Sequence, residues 1–170
     1  MNENELKIYD HLILPGQIDE FADCFDDNFK MIVVERDPRD LYILEKYMPS
    51  GKKSHFPLNK IDFVKELKNT IVQDYKNPNA LKIHFEDLIY NYEETVQIIE
   101  NFLGLNNLEH VRKKQCFIPE QSIENTQVFR VNPEWEKEVK EIEALIPEFL
   151  YHFPERRIPN RKLMFADSGT

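Results

Sequence analysis

Arg36 is the side chain whose type and setting best suit phosphate binding, because it closes the run MIVVE and opens the string RDPRD. A guanidinium offers a planar fork of N–H donors to two phosphate oxygens and keeps its charge at any physiological pH. One charge-assisted hydrogen bond of this kind contributes roughly 1.5–3 kcal/mol, which changes affinity by about tenfold or more. Spacing alone leaves a second use open, an ion pair with Asp40 one helical turn on. Arg39 reads as a solvated helix residue. Cys24 and Cys116 are too few for a disulfide framework and match no metal spacing, so both read as free thiols and no metal is expected.

The elements around Arg36 explain why it is placed to meet a ligand. Met31 to Val34 form a continuous apolar run rich in β-branched residues, the pattern of a strand covered on both faces in a parallel sheet. Asp37 then suits an N-cap, Pro38 the first helical position and Asp40 the third. Arg36 therefore falls at the carboxyl edge of a sheet beside a helix start, where open α/β folds bind ligands and free N–H groups favour anions.

Other elements follow from periodicity and turn residues. Leu6 to Leu12 reads as a first strand, and Ile18, Phe21, Ala22 and Phe25 recur on one face of a helix over residues 17–27. The strand at 30–35 and the helix from Pro38 to about Tyr47 lead into the loop MPSGKKSHFPLN. Ile61, Val64, Leu67 and Ile71 mark a helix entered through Asn59, and Leu81 to Phe85 reads as a third strand after the turn Asn77-Pro78-Asn79. Asn91 and Glu94 form a capping-box pattern for a helix carrying Tyr92, Val96, Ile99 and Leu103, closed by Gly104. The last helix starts at Asn132-Pro133, buries Trp135, Val139, Ile142 and Ile146, and is kinked or ended by Pro147.

Strands alternating with helices imply an α/β fold with a thin parallel sheet and right-handed crossovers. Residues 1–155 are expected to form one domain and 156–170 a loosely attached C-terminal tail. The 170-residue chain is 41% hydrophobic and 12% aromatic, enough apolar side chain for a globular core. A formal charge of -9 argues against a general nucleic-acid binder. No apolar run approaches the roughly 18 residues that span a bilayer, and MNENELK has no signal-peptide core, so a soluble cytoplasmic protein is expected. Four glycines limit glycine-rich nucleotide loops.

The order strand, RDPRD, helix, then a later strand and helix written KIHFEDLIYNYEETVQIIENFLGL, resembles the C-terminal half of the sulfotransferase family, from about Leu6 to Phe153. The resemblance looks closest to bacterial members that modify glycans. It implies a three-layer parallel sheet flanked by helices, in a P-loop NTPase-like fold. It also implies transfer of a sulfuryl group from 3'-phosphoadenosine 5'-phosphosulfate (PAPS) to a hydroxyl or amine on a small-molecule or glycan acceptor. By this match Arg36 holds the cofactor's 3'-phosphate. Phe85 stands where many members place a tyrosine against adenine; a phenyl ring can stack but cannot donate a hydroxyl hydrogen bond, and a core role at a strand end is the alternative. Glu86 and Asp87 are expected to cap the next helix.

His11, in DHLILPGQ, matches the segment around the family's catalytic histidine; an imidazole titrating near neutrality can take the acceptor's proton. His55, His84, His110 and His152 have no matching context. SIENTQVFR occupies the place of a polar loop that returns to the 3'-phosphate, making Ser122, Asn125 and Arg130 candidate donors. Arg112-Lys113-Lys114 could draw an anion toward that loop, although a charge run is usually a solvated face.

Two departures limit the match. Many members carry a phosphate-binding serine eight positions after the arginine, where this chain has Leu44. A complete member also begins with a phosphosulfate loop, and none precedes Leu6, so the chain is expected to be a C-terminal portion or an N-terminally truncated relative. PSGKKS at 49–54 is a decoy, since the first P-loop glycine would fall at Lys46 and the string follows a helix. The competing function is a catalytically incomplete module that binds or assembles, its open sheet edge covered by a partner chain or a second copy. A P-loop kinase of another family is disfavoured by the missing Walker sequence.

Overall fold

A computed structural model describes residues 8–9, 17–21, 24, 29–47, 56–71, 77–105, 114 and 117–164. Strands β1 (Met31–Glu35) and β2 (Ala80–His84) pair in parallel, with Met31 opposite Ala80 and Glu35 opposite His84. Backbone bonds continue the pairing at both ends, Met31 N–H to the Asn79 carbonyl and Phe85 N–H to the Glu35 carbonyl, each 2.7 Å. The protein is thus α/β, mostly helical with a small two-stranded parallel sheet among the described residues. Most of the expected first strand, His11 included, lies outside those residues; Ile8 and Tyr9, which are described, are exposed and in no strand.

The corner after β1 forms as its residues dictate. Asp37 Oδ1 accepts from the Arg39 N–H at 2.9 Å, and the Asp37 carbonyl accepts the first helical bond, from Leu41, in α2 (Pro38–Tyr47). Helix α1 (Ile18–Phe21) falls within the expected helix over 17–27, most of the rest of which lies outside the described residues, and its Asp19 accepts from Asn77 Nδ2. Helix α3 (Lys60–Thr70) starts where Asn59 accepts from the N–H groups of Ile61 and Asp62. Its buried face is Phe63, Val64 and Leu67, while Ile61 is 61% exposed. Phe63 packs edge-on against Tyr42 at 5.1 Å, so the larger aromatic rotates the helix relative to the expected stripe.

A one-turn helix α4 (Asp87–Tyr90) runs directly into α5 (Tyr92–Leu103), and the expected capping box is absent. Asn91 instead donates to Asp87 Oδ1, and Thr95 Oγ1 donates to the carbonyls of Asp87 and Asn91. Gly104 closes α5 in the left-handed region, φ 70°, with its N–H on the Asn101 carbonyl. After the turn α6 (Pro119–Ser122), 3-10 turns at Ile123–Asn125 and Val128–Arg130 flank Gln127, which adopts φ 55°. The expected last helix is two short helices, α7 (Pro133–Glu138) and α8 (Lys140–Leu145), meeting at Val139. Trp135, Val139, Ile142 and Ile146 are buried as expected, and Pro147 opens a 3-10 turn.

The main core lies between α2, α3, the Val128–Phe129 turn and α7–α8. Met164 belongs to it, which corrects the reading of residues 156–170 as a loose tail over their described part. Arg157 reinforces the attachment: its N–H donates to Gln127 Oε1 and its Nη2 lies 3.0 Å from Glu124.

Candidate functional site around Arg36

The parallel strand pair places Arg36 and Phe85 side by side at its carboxyl end, since Phe85 follows the residue opposite Glu35. The guanidinium carbon lies 4.9 Å from the centre of the Phe85 ring, a cation–π contact. Arg36 Nη2 donates to the backbone carbonyl of Asn125, while its Nε is buried without a hydrogen-bond partner. The arginine is therefore held in place yet retains donor capacity.

Three fully buried carboxyl groups surround this corner: Asp37, Asp40 and Glu86. Asp40 does not serve as an ion-pair lid on Arg36. Its Oδ2 accepts from the Gln127 N–H at 2.7 Å and its Oδ1 from the Phe129 N–H at 3.2 Å, fixing the 126–129 segment against α2. Glu86 Oε1 accepts from the Asp37 N–H at 2.9 Å, and Glu86 Oε2 is buried without a partner. Glu86 stands at the N-cap of α4 and Asp87 in its first turn, as expected, with the Glu86 carbonyl accepting from the Tyr90 N–H; the Glu86 side chain makes no cap bond there, and Asp87 accepts from the Tyr151 hydroxyl at 2.7 Å.

Burial pushes the Glu86 carboxyl up to about 7, opposed by the Asp37 N–H and the Arg36 charge and reinforced by Asp37. Asp40 is pushed up too, chiefly by burial and then by Asp37 and Glu86, although Arg36 and the Phe129 N–H oppose this. Arg39, expected in solvent, is buried instead. Its Nε and Nη2 bond Asp37 at 2.9 and 2.7 Å, its Nη1 bonds Glu143 at 3.0 Å, and its Nη2 also donates to the Tyr151 carbonyl. With Phe129 and Phe153 at 4.7 and 5.4 Å, this guanidinium is committed to the fold.

Of the residues singled out from sequence, the structure brings together Arg36, Phe85 and the backbone of Asn125. Ser122 is buried in α6, just ahead of that turn. Arg130 turns elsewhere: its Nη1 pairs with Glu136, and its guanidinium lies 4.8 Å from the centre of the Phe129 ring. His11 and the PSGKKS string lie outside the described residues. Residues 112 and 113 of the basic run do so too, while Lys114 pairs with Glu120 at 2.5 Å.

Phe85 also meets Phe117 edge-on at 6.3 Å, and Phe117 stacks with Tyr92 at 6.4 Å. Beyond this aromatic row opens a cavity of about 390 Å3, lined by residues including Tyr90, Tyr92, Glu94 and Ile123 but not by Arg36 or Phe85. Among the described residues no group of three or more His, Cys, Asp or Glu could hold a metal, and no helix is long and apolar enough to cross a membrane. The corner can therefore offer an anion a fixed guanidinium beside an aromatic ring, inside an acidic surround. Comparison with protein-family models, curated proteins and solved structures found no match.

Proposed function

We propose that Arg36 and Phe85 receive the 3'-phosphate and adenine of a 3'-phosphoadenosine nucleotide. The chain then carries the 3'-phosphate half of a PAPS-dependent sulfotransferase site, on a P-loop-like, three-layer α/β domain. The observation that carries this reading is Arg36 itself, seated 4.9 Å from the Phe85 ring centre with a buried, unpartnered Nε. An orphaned guanidinium donor in a dry corner costs stability unless a ligand completes it, and a phosphate oxygen has the charge and lone pairs to do so.

In this reading PAPS, when bound, supplies the activated sulfuryl group. Arg36 neutralises the 3'-phosphate, Phe85 gives the base an apolar face, and the 122–125 turn contributes polar groups from Ser122 and Asn125. His11 takes the proton of the hydroxyl or amine acceptor, a glycan being the favoured class. Arg130 is left a secondary role, because Glu136 already engages it.

Titration with adenosine 3',5'-bisphosphate tests the site, comparing the parent with Arg36→Ala. The variant should bind about tenfold more weakly or worse, the loss of one charge-assisted phosphate contact. Adenosine 5'-phosphate should bind the parent weakly and be indifferent to the substitution. Equal binding by parent and variant, or none by either, overturns the assignment. Nucleotide binding without sulfuryl transfer from PAPS to any hydroxyl or amine acceptor would favour the competing reading, a binding or assembly module.

A further inference from the structure

We propose that an anion arriving at Arg36 draws a proton from solvent onto the buried carboxyl pair Glu86 and Asp40, so that phosphate binding and proton uptake are one event. This rests on the reading of Arg36 as the phosphate ligand and adds its regulation by pH.

Charge balance in the buried corner couples the two events. Asp37, Asp40 and Glu86 are all fully buried, and the guanidinium groups near them are those of Arg36 and Arg39. Arg39 is spent on Asp37 at 2.7 Å and on Glu143 at 3.0 Å. With every acid ionised, Arg36 alone faces Asp40 and Glu86, and the corner is already negative before a ligand arrives. A phosphate dianion would add like charge where the dielectric screens poorly. Protonating a carboxyl relieves this without moving any backbone.

Geometry indicates which carboxyl goes first. Both Asp40 oxygens accept backbone N–H groups, which favours its ionised form. Glu86 has the Asp37 N–H on Oε1, with its own backbone N–H also favouring the ionised form, but leaves Oε2 buried without a partner, whereas neither Asp40 oxygen is left bare. A proton on Oε2 removes an uncompensated negative charge and keeps the Asp37 bond. The ionisable groups around Glu86 are Arg36, Asp37 and Asp40 from the β1–α2 corner, Asp87 and Tyr90 from α4, and Tyr151 from the C-terminal segment. His84 stands two residues before it on β2, with its ring 5.6 Å from that of Tyr151. Because burial already holds the Glu86 carboxyl at about 7, the proton is available near neutrality.

Calorimetric titration of the parent with adenosine 3',5'-bisphosphate at pH 8, in buffers of different ionisation enthalpy, counts protons exchanged. Phosphate monoesters lose their second proton near about pH 6, so at pH 8 the ligand contributes none. The expected result is net uptake of several tenths of a proton, with affinity falling by up to about tenfold per pH unit between pH 7 and 9. Glu86→Gln should bind more tightly than the parent at pH 8, lose most of the uptake and flatten the pH profile. Zero uptake by a parent that binds in an Arg36-dependent way overturns the coupling and leaves the phosphate site standing. Unchanged uptake in both Glu86→Gln and Asp40→Asn places the proton elsewhere and also overturns it. Absence of binding at every pH removes the site and the coupling together. The parent measurement needs no substitution, so a variant that fails to fold does not spare the proposal.

Discussion

Asp37 accepts four hydrogen bonds through two oxygens, three from Arg39 and one from the N–H of Tyr151, 114 positions away. Removing its charge strands a buried guanidinium, and breaking one side of such a pair costs about 3–5 kcal/mol. Asp37→Asn should lower the urea-derived stability by that amount; a loss under about 1 kcal/mol would show that Glu143 alone satisfies Arg39. Glu86 gives a pH prediction of opposite character. Its folded value, about 7, lies above the ordinary 4.5, so its stabilising contribution is complete below about 4.5 and is lost as pH rises through 7. Glu86→Gln should therefore gain on the parent, by on the order of 2 kcal/mol, between pH 5 and pH 8. Denaturation midpoints at the two values check this, and a constant difference between the proteins would refute it.

At the level of elements, local chemistry predicts well where partners are local. The β1–Arg36–Asp37–Pro38 corner and the Asn59 start of α3 follow from neighbouring residues, and both were legible in the sequence. Asn59→Ala should cost about 1 kcal/mol, the usual value of an N-cap, read from the thermal midpoint. Gly104 isolates a backbone effect. A Cβ there meets no atom within 4 Å, so Gly104→Ala should cost about 1–2 kcal/mol through φ alone, and Gly104→Asn less. Elements set by distant partners were less legible. The α3 stripe turned because Phe63 meets Tyr42, and the Asn91 capping box failed because α4 runs into α5. Within the site, Arg36 and Phe85 could be read because each ends a recognisable strand. The roles of Arg39 and Glu86 could not, because Glu143, Tyr151 and the Asp37 N–H are brought to them only by the fold. Nor could the diversion of Arg130 to Glu136, since spacing of six is not a helical neighbour relation.

Over the whole molecule, the residues beyond Glu155 act as a clasp. The Arg157 N–H reaches Gln127, Arg157 and the Asn160 N–H reach Glu124, and Met164 enters the core. A chain ended after Glu155 should lose about 2–4 kcal/mol, mostly from the exposed methionine site and the unmade bonds to Gln127. A thermal midpoint equal to the parent's would restore the picture of a loose tail. Gln127 makes this linkage matter. Buried and left-handed, it joins the Asp40 carboxyl through its N–H and the Glu155 carbonyl and Arg157 N–H through its side chain. During synthesis, Arg36 and Phe85 therefore leave the ribosome long before the segment that secures the turn against them. A nascent chain stalled ahead of Tyr151 would display the guanidinium corner with Asp37, Arg39 and Gln127 still lacking part of their partners. Completion of the guanidinium corner thus waits on the synthesis of Tyr151, Glu155 and Arg157.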